Sequence, residues 1–424
     1  MRKLFRRLKN YPVGILLGDL LNFLRTIPQE MRSLERRIYC CRPTRQPVGR
    51  VLVCYANMAF FLKKGQPIPH DHTNRWETWQ IVQTFLDLGY RVDVINENNE
   101  RFVPARDYAI FVGNRTNFDR IAALLNEGCL RILHIDTCHW LFHNLAELRR
   151  LEALQQRRGF VLPAQRTMSP NLAIEHADYG IAVGNAATMA TYEYAKKPLF
   201  RVPISNPVTY PWAEDKDFNA VRRRFLWLGS HGFVHKGLDL VLEAFAGMPD
   251  YELTVCGPLN ADRPFQQAYR RELYDTPNIH TPGWIDITGP DFLALAKTTL
   301  GIVFASASEG GSGAVISCMH AGLIPIVTCE SAVDVDETHG VMLETGSIQQ
   351  IRDAVRQLSM RSAEELTAMA RRNWEQARAR HNREVFASTY SRVIADILGQ
   401  EGKKRGAVAD TAVSRMVHGL RLPQ

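Results

Sequence analysis

A chain of 424 residues, 46% hydrophobic and 23% charged, is long enough for two or three packed domains and is neither disordered nor fibrous in composition. Its eight cysteines form no C-x-x-C pair and several sit in apolar runs, which argues against a disulfide framework and for buried thiols in a reducing cytoplasm. Residues 1–50 carry twelve Lys/Arg against three Asp/Glu, whereas the whole chain has only eight more basic than acidic residues, so the body is near neutral and offers no basic surface for nucleic acid.

In chain order, residues 1–49 read as a basic amphipathic arm, opening "MRKLFRRLKN" and continuing "YPVGILLGDLLNFLRTIP". Asp19, Asn22 and Arg25 interrupt the apolar run, no small-residue cleavage site follows and the run is short, so neither a signal peptide nor a spanning helix is expected. Two readings stay open: a helix in residues 1–26 lying on an anionic membrane surface, or one packed on protein.

From Arg50 short apolar runs alternate with helical patterns, which predicts a parallel α/β domain over 50–204. Expected strands are 50–56, 91–96, 108–113, 131–136 and 179–184, with a helix around Trp79, Val82, Phe85 and Leu86 that stops at Gly89. The proline-containing segment 205–222 reads as a linker. A second series over 223–383 predicts strands at 224–230, 252–257, 278–283, 300–306 and 323–328. A C-terminal helix over 384–400, with a return to the first domain, and an irregular tail over 401–424 complete the chain. Two doubly wound domains joined by a linker set their strand ends across a cleft, so function is expected where both halves meet.

Three features of the second half carry the chemistry. "LGSHGFVHKGLDLVLEAF" sets Lys236 at a strand–turn–helix junction, where an ammonium and free helix amides suit a phosphate. "HTPGW" ends a strand in a Gly-aromatic turn. "SASEGGSGAVISCMHAGLIPIV" places Glu309 ahead of Gly310, Gly311, Ser312 and Gly313 at a helix start that favours an anion.

In order and spacing these pieces resemble the C-terminal domain of retaining glycosyltransferases of the GT-B fold, in the family called glycosyltransferase group 1 or family 4. The likeness is close over residues 224–345 and looser in the first half, where "HIDTCHW" carries it. The resemblance implies an α/β, GT-B architecture of two Rossmann-like domains. It implies that Lys236 neutralises the diphosphate of a nucleotide-sugar donor, that Glu309 accepts from sugar hydroxyls, and that His139 lies near the reacting centre. Donor contacts would come from Gly229, Ser230 and His231, from Gly283, Trp284 and Ile285 at the base, and from Gly310 to Gly313. His134 and Asp136 are weaker candidates.

Two positions depart from the family pattern. Ser317 stands where a ribose-binding glutamate is usual and is expected to contact the donor ribose neutrally and with shorter reach, and Ser230 stands where an arginine is usual. No metal or other cofactor is implied, and "DVD" at 334–336 reads as a loop. "HDH" at 70–72 lacks closed zinc-ligand pairs, and no G-x-G-x-x-G follows the first strand, which disfavours a dehydrogenase. "HTNRWETWQ" at 72–80 is either a contact to acceptor or donor, or a helix cap with core tryptophans.

The expected activity is hexosyl transfer from a nucleotide sugar to a glycan or lipid-linked acceptor, in bacterial-type cell-envelope polysaccharide synthesis. The expected place is the cytoplasm, peripheral on the inner face of the membrane. Alternatives are a degenerate nucleotide-sugar-binding subunit and a nucleotide-sugar epimerase.

Overall fold

The computed structural model describes residues 36–419 except Lys64 and Asp71, with side chains placed as far as residue 403. The expectation for residues 1–26 lies outside the described residues.

The first sheet has seven strands: β1 (Tyr39–Cys41), β2 (Arg50–Cys54), β3 (Arg91–Ile95), β4 (Ile110–Gly113), β5 (Leu130–Ile135), β6 (Tyr179–Val183) and β7 (Leu199–Val202). Their order is β1-β3-β2-β4-β5-β6-β7, parallel throughout except for the antiparallel edge strand β1. The second sheet holds β8 (Arg224–Leu228), β9 (Glu252–Cys256), β10 (Ile279–Gly283), β11 (Gly301–Phe304), β12 (Ile324–Thr328) and β13 (Val341–Leu343). Its order, β10-β9-β8-β11-β12-β13, is all parallel and reverses direction between β8 and β11. That reversal opens a crevice at the strand carboxyl ends, the place where such sheets bind ligands.

Both faces of the central strands are covered, so the strands are apolar at every position rather than at alternate ones. Along β2, Val51 and Val53 pack into the core that runs through both domains, while Leu52 and Cys54 pack into a second cluster with Phe111 and Phe118. All eight cysteines are free thiols.

Three strands carried no signal in the sequence: β1, β7 and β13. Each is three or four residues long and lies at a sheet edge, where one neighbour suffices and side chains stay half exposed. The helix that begins at Arg383 runs on to Gly419, where the sequence suggests an irregular tail from 401. That stretch contains glycines but no proline, so no residue in it lacks the N–H that the helix ladder needs. This last helix crosses to the first domain: Phe386 meets Trp76, Ser391 Oγ lies 3.3 Å from Thr84 Oγ1, and Tyr179 donates to Glu401 at 2.7 Å. No helix among the described residues is long and apolar enough to cross a membrane.

Candidate functional site

The turn after β8 delivers Lys236, and the loop after β11 delivers Glu309, from the two sides of the sheet's switch point. Their side chains form a buried ion pair, Lys236 Nζ donating to Glu309 Oε1, and Ser306 Oγ reaches the same oxygen at 3.3 Å. Burial would raise the Glu309 carboxyl, but the charges of Lys236 and Arg166 overcome it and bring its pKa down to about 2. Burial pulls the Lys236 ammonium the other way, against the attraction of Glu309.

The backbone of this loop is held by the first domain. The Glu309 carbonyl accepts from Cys138 Sγ at 3.3 Å and from Thr188 Oγ1 at 3.4 Å. Gly310 follows because nothing larger fits: a Cβ there would stand 2.0 Å from the Asp136 carbonyl oxygen. Gly313 then opens an eight-residue helix, Gly313–His320, capped by Ser312, whose hydroxyl is spent on the Ser331 carbonyl at 2.8 Å.

Facing the loop is a polar cavity of about 380 Å³, lined from the first domain by the ends of β2, β4 and β5 and by the start of the helix Thr73–Asp87. Asp136 pairs with Arg115 and accepts from the Tyr55 hydroxyl at 3.3 Å. Glu97 takes a hydrogen bond from Asn114, and Glu77 takes one from Ser205 at 2.8 Å. Burial pushes both Glu77 and Glu97 up to about 7. Glu309, Gly310, Gly311 and Gly313 close the cavity from the second domain.

A buried chain of polar groups links the two halves. Glu147, on the helix Trp140–Arg158, contacts His235 Nδ1 at 2.8 Å, and His235 Nε2 contacts the Ser308 carbonyl at 2.7 Å. Ser308 Oγ lies 2.9 Å from His143 Nδ1, and the two imidazoles stack with centroids 4.5 Å apart. Burial, with the positive charge of His235 and Arg166, lowers His143 to about 3 and keeps it neutral.

The expected residues do not all converge. Lys236, Glu309 and Gly310 to Gly313 come together, and Gly229, Gly257 and Gly283 stand side by side at the ends of β8, β9 and β10, with Gly257 N donating to Gly283 O at 3.0 Å. Trp284 is 61% exposed and, like Ile285, Ser230 and His231, does not line the cavity.

His139 does not line the cavity. Its ring caps the helix Trp140–Arg158 by accepting from Leu141 N, and its other nitrogen bonds Tyr194 at 3.0 Å. One helical turn on, His143 takes the position at the cavity wall. Ser317 is buried, its hydroxyl 3.0 Å from Asn206 Oδ1 and 2.8 Å from Gly313 O, because the segment after β7 lies over its helix.

In "HTNRWETWQ", His72 accepts from Asn74 N as a cap and Trp76 packs on Phe386, while His72, Thr73, Asn74 and Glu77 line the cavity. Of "DVD", Asp334 pairs with Arg201 at 2.6 Å and Asp336 accepts from Thr338 and His339. No cluster of three potential metal ligands occurs among the described residues. Arg115, His143, Glu147 and Arg166 had no sequence signal beyond the i, i+4 spacing of His139 and His143.

Residues 222–360 match the family described as Glycosyl transferases group 1. No curated protein matches the chain. Among solved structures, sucrose-phosphate synthase from Thermosynechococcus elongatus superposes with a TM-score of 0.59 at 14% identity, over 84% of this chain and 100% of that one. WaaG, a glycosyltransferase involved in lipopolysaccharide biosynthesis, gives 0.51 at 14% identity over 81% and 99%. Anabaena HepE, solved with UDP and glucose, gives 0.51 at 13% identity over 83% and 99%. The chain spans only about half the length of S. aureus TarM, 54% of that chain at 12% identity and a TM-score of 0.47. With two parallel-sheet domains across a cleft, the chain has the GT-B fold, and its residues 222–360 match the glycosyl transferases group 1 family.

Proposed function

We propose that the protein is a retaining glycosyltransferase that moves a hexose-type sugar from a nucleoside-diphosphate donor to a glycan acceptor. One observation carries this reading: a buried Lys236–Glu309 pair stands at the switch point of the second sheet, beside a glycine loop and helix start that face a polar cavity of the first. A diphosphate at Lys236 would compete with Glu309 for the ammonium and release the carboxylate toward the sugar. Glu309 would then accept from sugar hydroxyls, where a missing hydroxyl leaves a buried charge unpaired. The amides at Gly311, Ser312 and Gly313 and the helix dipole would join Lys236 in stabilising the leaving diphosphate. Retention of anomeric configuration would follow from attack on the face the diphosphate leaves, with its oxygen taking the acceptor proton.

The cavity wall of Glu77, Glu97, Asn114 and Asp136 suits the hydroxyls of an acceptor sugar. HepE was solved with UDP and glucose, which supports a nucleotide-sugar donor here. WaaG acts in lipopolysaccharide biosynthesis, which supports an acceptor in the cell envelope, and the basic residues of the N-terminal arm suit an anionic membrane face.

Purified protein incubated with a panel of nucleotide sugars and a membrane extract should release nucleotide. The variant Glu309→Ala should lose transfer while retaining nucleotide affinity. Binding without release for every donor would favour a second reading, a binding subunit without turnover, to which the burial of Ser317 against Asn206 lends support. Isomerised donor without any acceptor would identify an epimerase.

A further inference from the structure

Within the donor site, Lys236 and Glu309 cancel one another in charge. A diphosphate brings several further negative charges, and the helix start at Gly313 supplies only partial positive ones. Two guanidinium groups line the cavity. Arg115 is already bound to Asp136. Arg166 is not: its Nε is buried with no hydrogen-bond partner, and its guanidinium forms no ion pair among the described residues. A buried polar group without a partner is costly and calls for a ligand.

Arg166 belongs to the first domain, yet three contacts fix it against the second. Gln165 N and Arg166 N both donate to Glu147 Oε1, at 2.8 and 3.3 Å, and Glu147 Oε2 holds His235. The Gln165 side chain donates to Asp262 Oδ2, across the cleft, at 2.7 Å. The stem of Arg166 lies on Gly232, in the same turn that carries Lys236. A Cβ on Gly232 would stand 2.4 Å from Arg166 Cγ, and its φ of +86° is one only glycine adopts freely. From there the guanidinium charge acts on Glu309, Lys236 and His143 alike.

We propose that Arg166 is a second diphosphate-binding residue, lent by the N-terminal domain to a site otherwise built by the C-terminal one. The planar fork of arginine suits two phosphate oxygens. Donor phosphate would thereby tie the two domains together, and Ser230, exposed on the same turn, need not supply the charge. The inference rests on the glycosyl-transfer reading.

The test uses the full chain and isothermal titration with UDP, GDP and ADP and with the corresponding nucleosides. Arg166→Gln should weaken the preferred nucleoside diphosphate at least tenfold, leave the nucleoside affinity unchanged and reduce the salt dependence of diphosphate binding. Arg166→Lys should recover part of the loss. Equal diphosphate affinity in Arg166→Gln and the parent would overturn the proposal while leaving the transferase reading intact. A parallel loss of nucleoside affinity would also overturn it, since that would mark a structural role. If the parent chain binds none of the diphosphates, the transferase reading falls first and the proposal falls with it.

Discussion

Lys236 and Glu309 neutralise one another in a space nearly closed to solvent, with 7% and 8% of their surfaces exposed. Removing one partner leaves the other charge buried, which costs far more than removing both. Lys236→Ala should therefore destabilise the fold by about 3 kcal/mol, and Lys236→Ala with Glu309→Gln by clearly less. Urea denaturation of the two variants would show this as separate midpoints at similar slope. Coinciding midpoints would mean that the pair contributes nothing beyond its separate members. These two residues were legible in the sequence because each sits in a local strand–turn–helix pattern. Arg166 and His143 were not, because a loop arginine and a helical histidine acquire meaning only from what the other domain brings against them.

At the scale of elements, the glycine loop after β11 is a joint between the domains as well as a wall of the cavity. Gly310→Ala would press a methyl group onto backbone at Asp136, where no flexible side chain can yield. The loop or β5 must shift, so transfer should fall sharply and stability by about 1–3 kcal/mol. Measured kcat and thermal unfolding would reveal it, and an unchanged kcat would show that the loop tolerates displacement. The last helix is a second joint. Phe386 is fully buried against Trp76 and Tyr390, so Phe386→Ala should cost about 3–5 kcal/mol, read by urea unfolding. A loss below 1 kcal/mol would mean that this helix only rests on the first domain. Central strands and amphipathic helices announce themselves by apolar runs, which is why β2 to β6 and β8 to β12 could be read from the chain. The edge strands β1, β7 and β13 could not, since so few residues paired on one side leave no period to detect.

Across the whole molecule, buried carboxylates at the domain boundary have environments that pull in opposite directions, as Glu147 and Glu77 show. Glu147 is 2% exposed and accepts from His235 and two backbone N–H groups, and these outweigh burial to hold its pKa below the usual 4.5. Its contribution to stability is therefore present above pH 4.5 and is lost as pH falls through the folded-state value. Glu77 is 3% exposed, and burial dominates, raising it to about 7. The folded state keeps its proton where the unfolded chain has released it, so Glu77 costs stability from pH 4.5 upward, and the cost is complete only above pH 7. Glu147→Gln should then destabilise by about 3 kcal/mol at both pH 5 and pH 8. Glu77→Gln should stabilise on the order of 2 kcal/mol at pH 8, and by less than about 1 kcal/mol at pH 5. Denaturation midpoints of both variants at the two pH values would separate the effects. A Glu77→Gln gain that did not grow with pH would show that the carboxyl is ionised and well solvated in the cavity. Growth with pH would place a proton on the cavity wall at neutral pH, where, on the proposed function, it could be donated to a sugar oxygen.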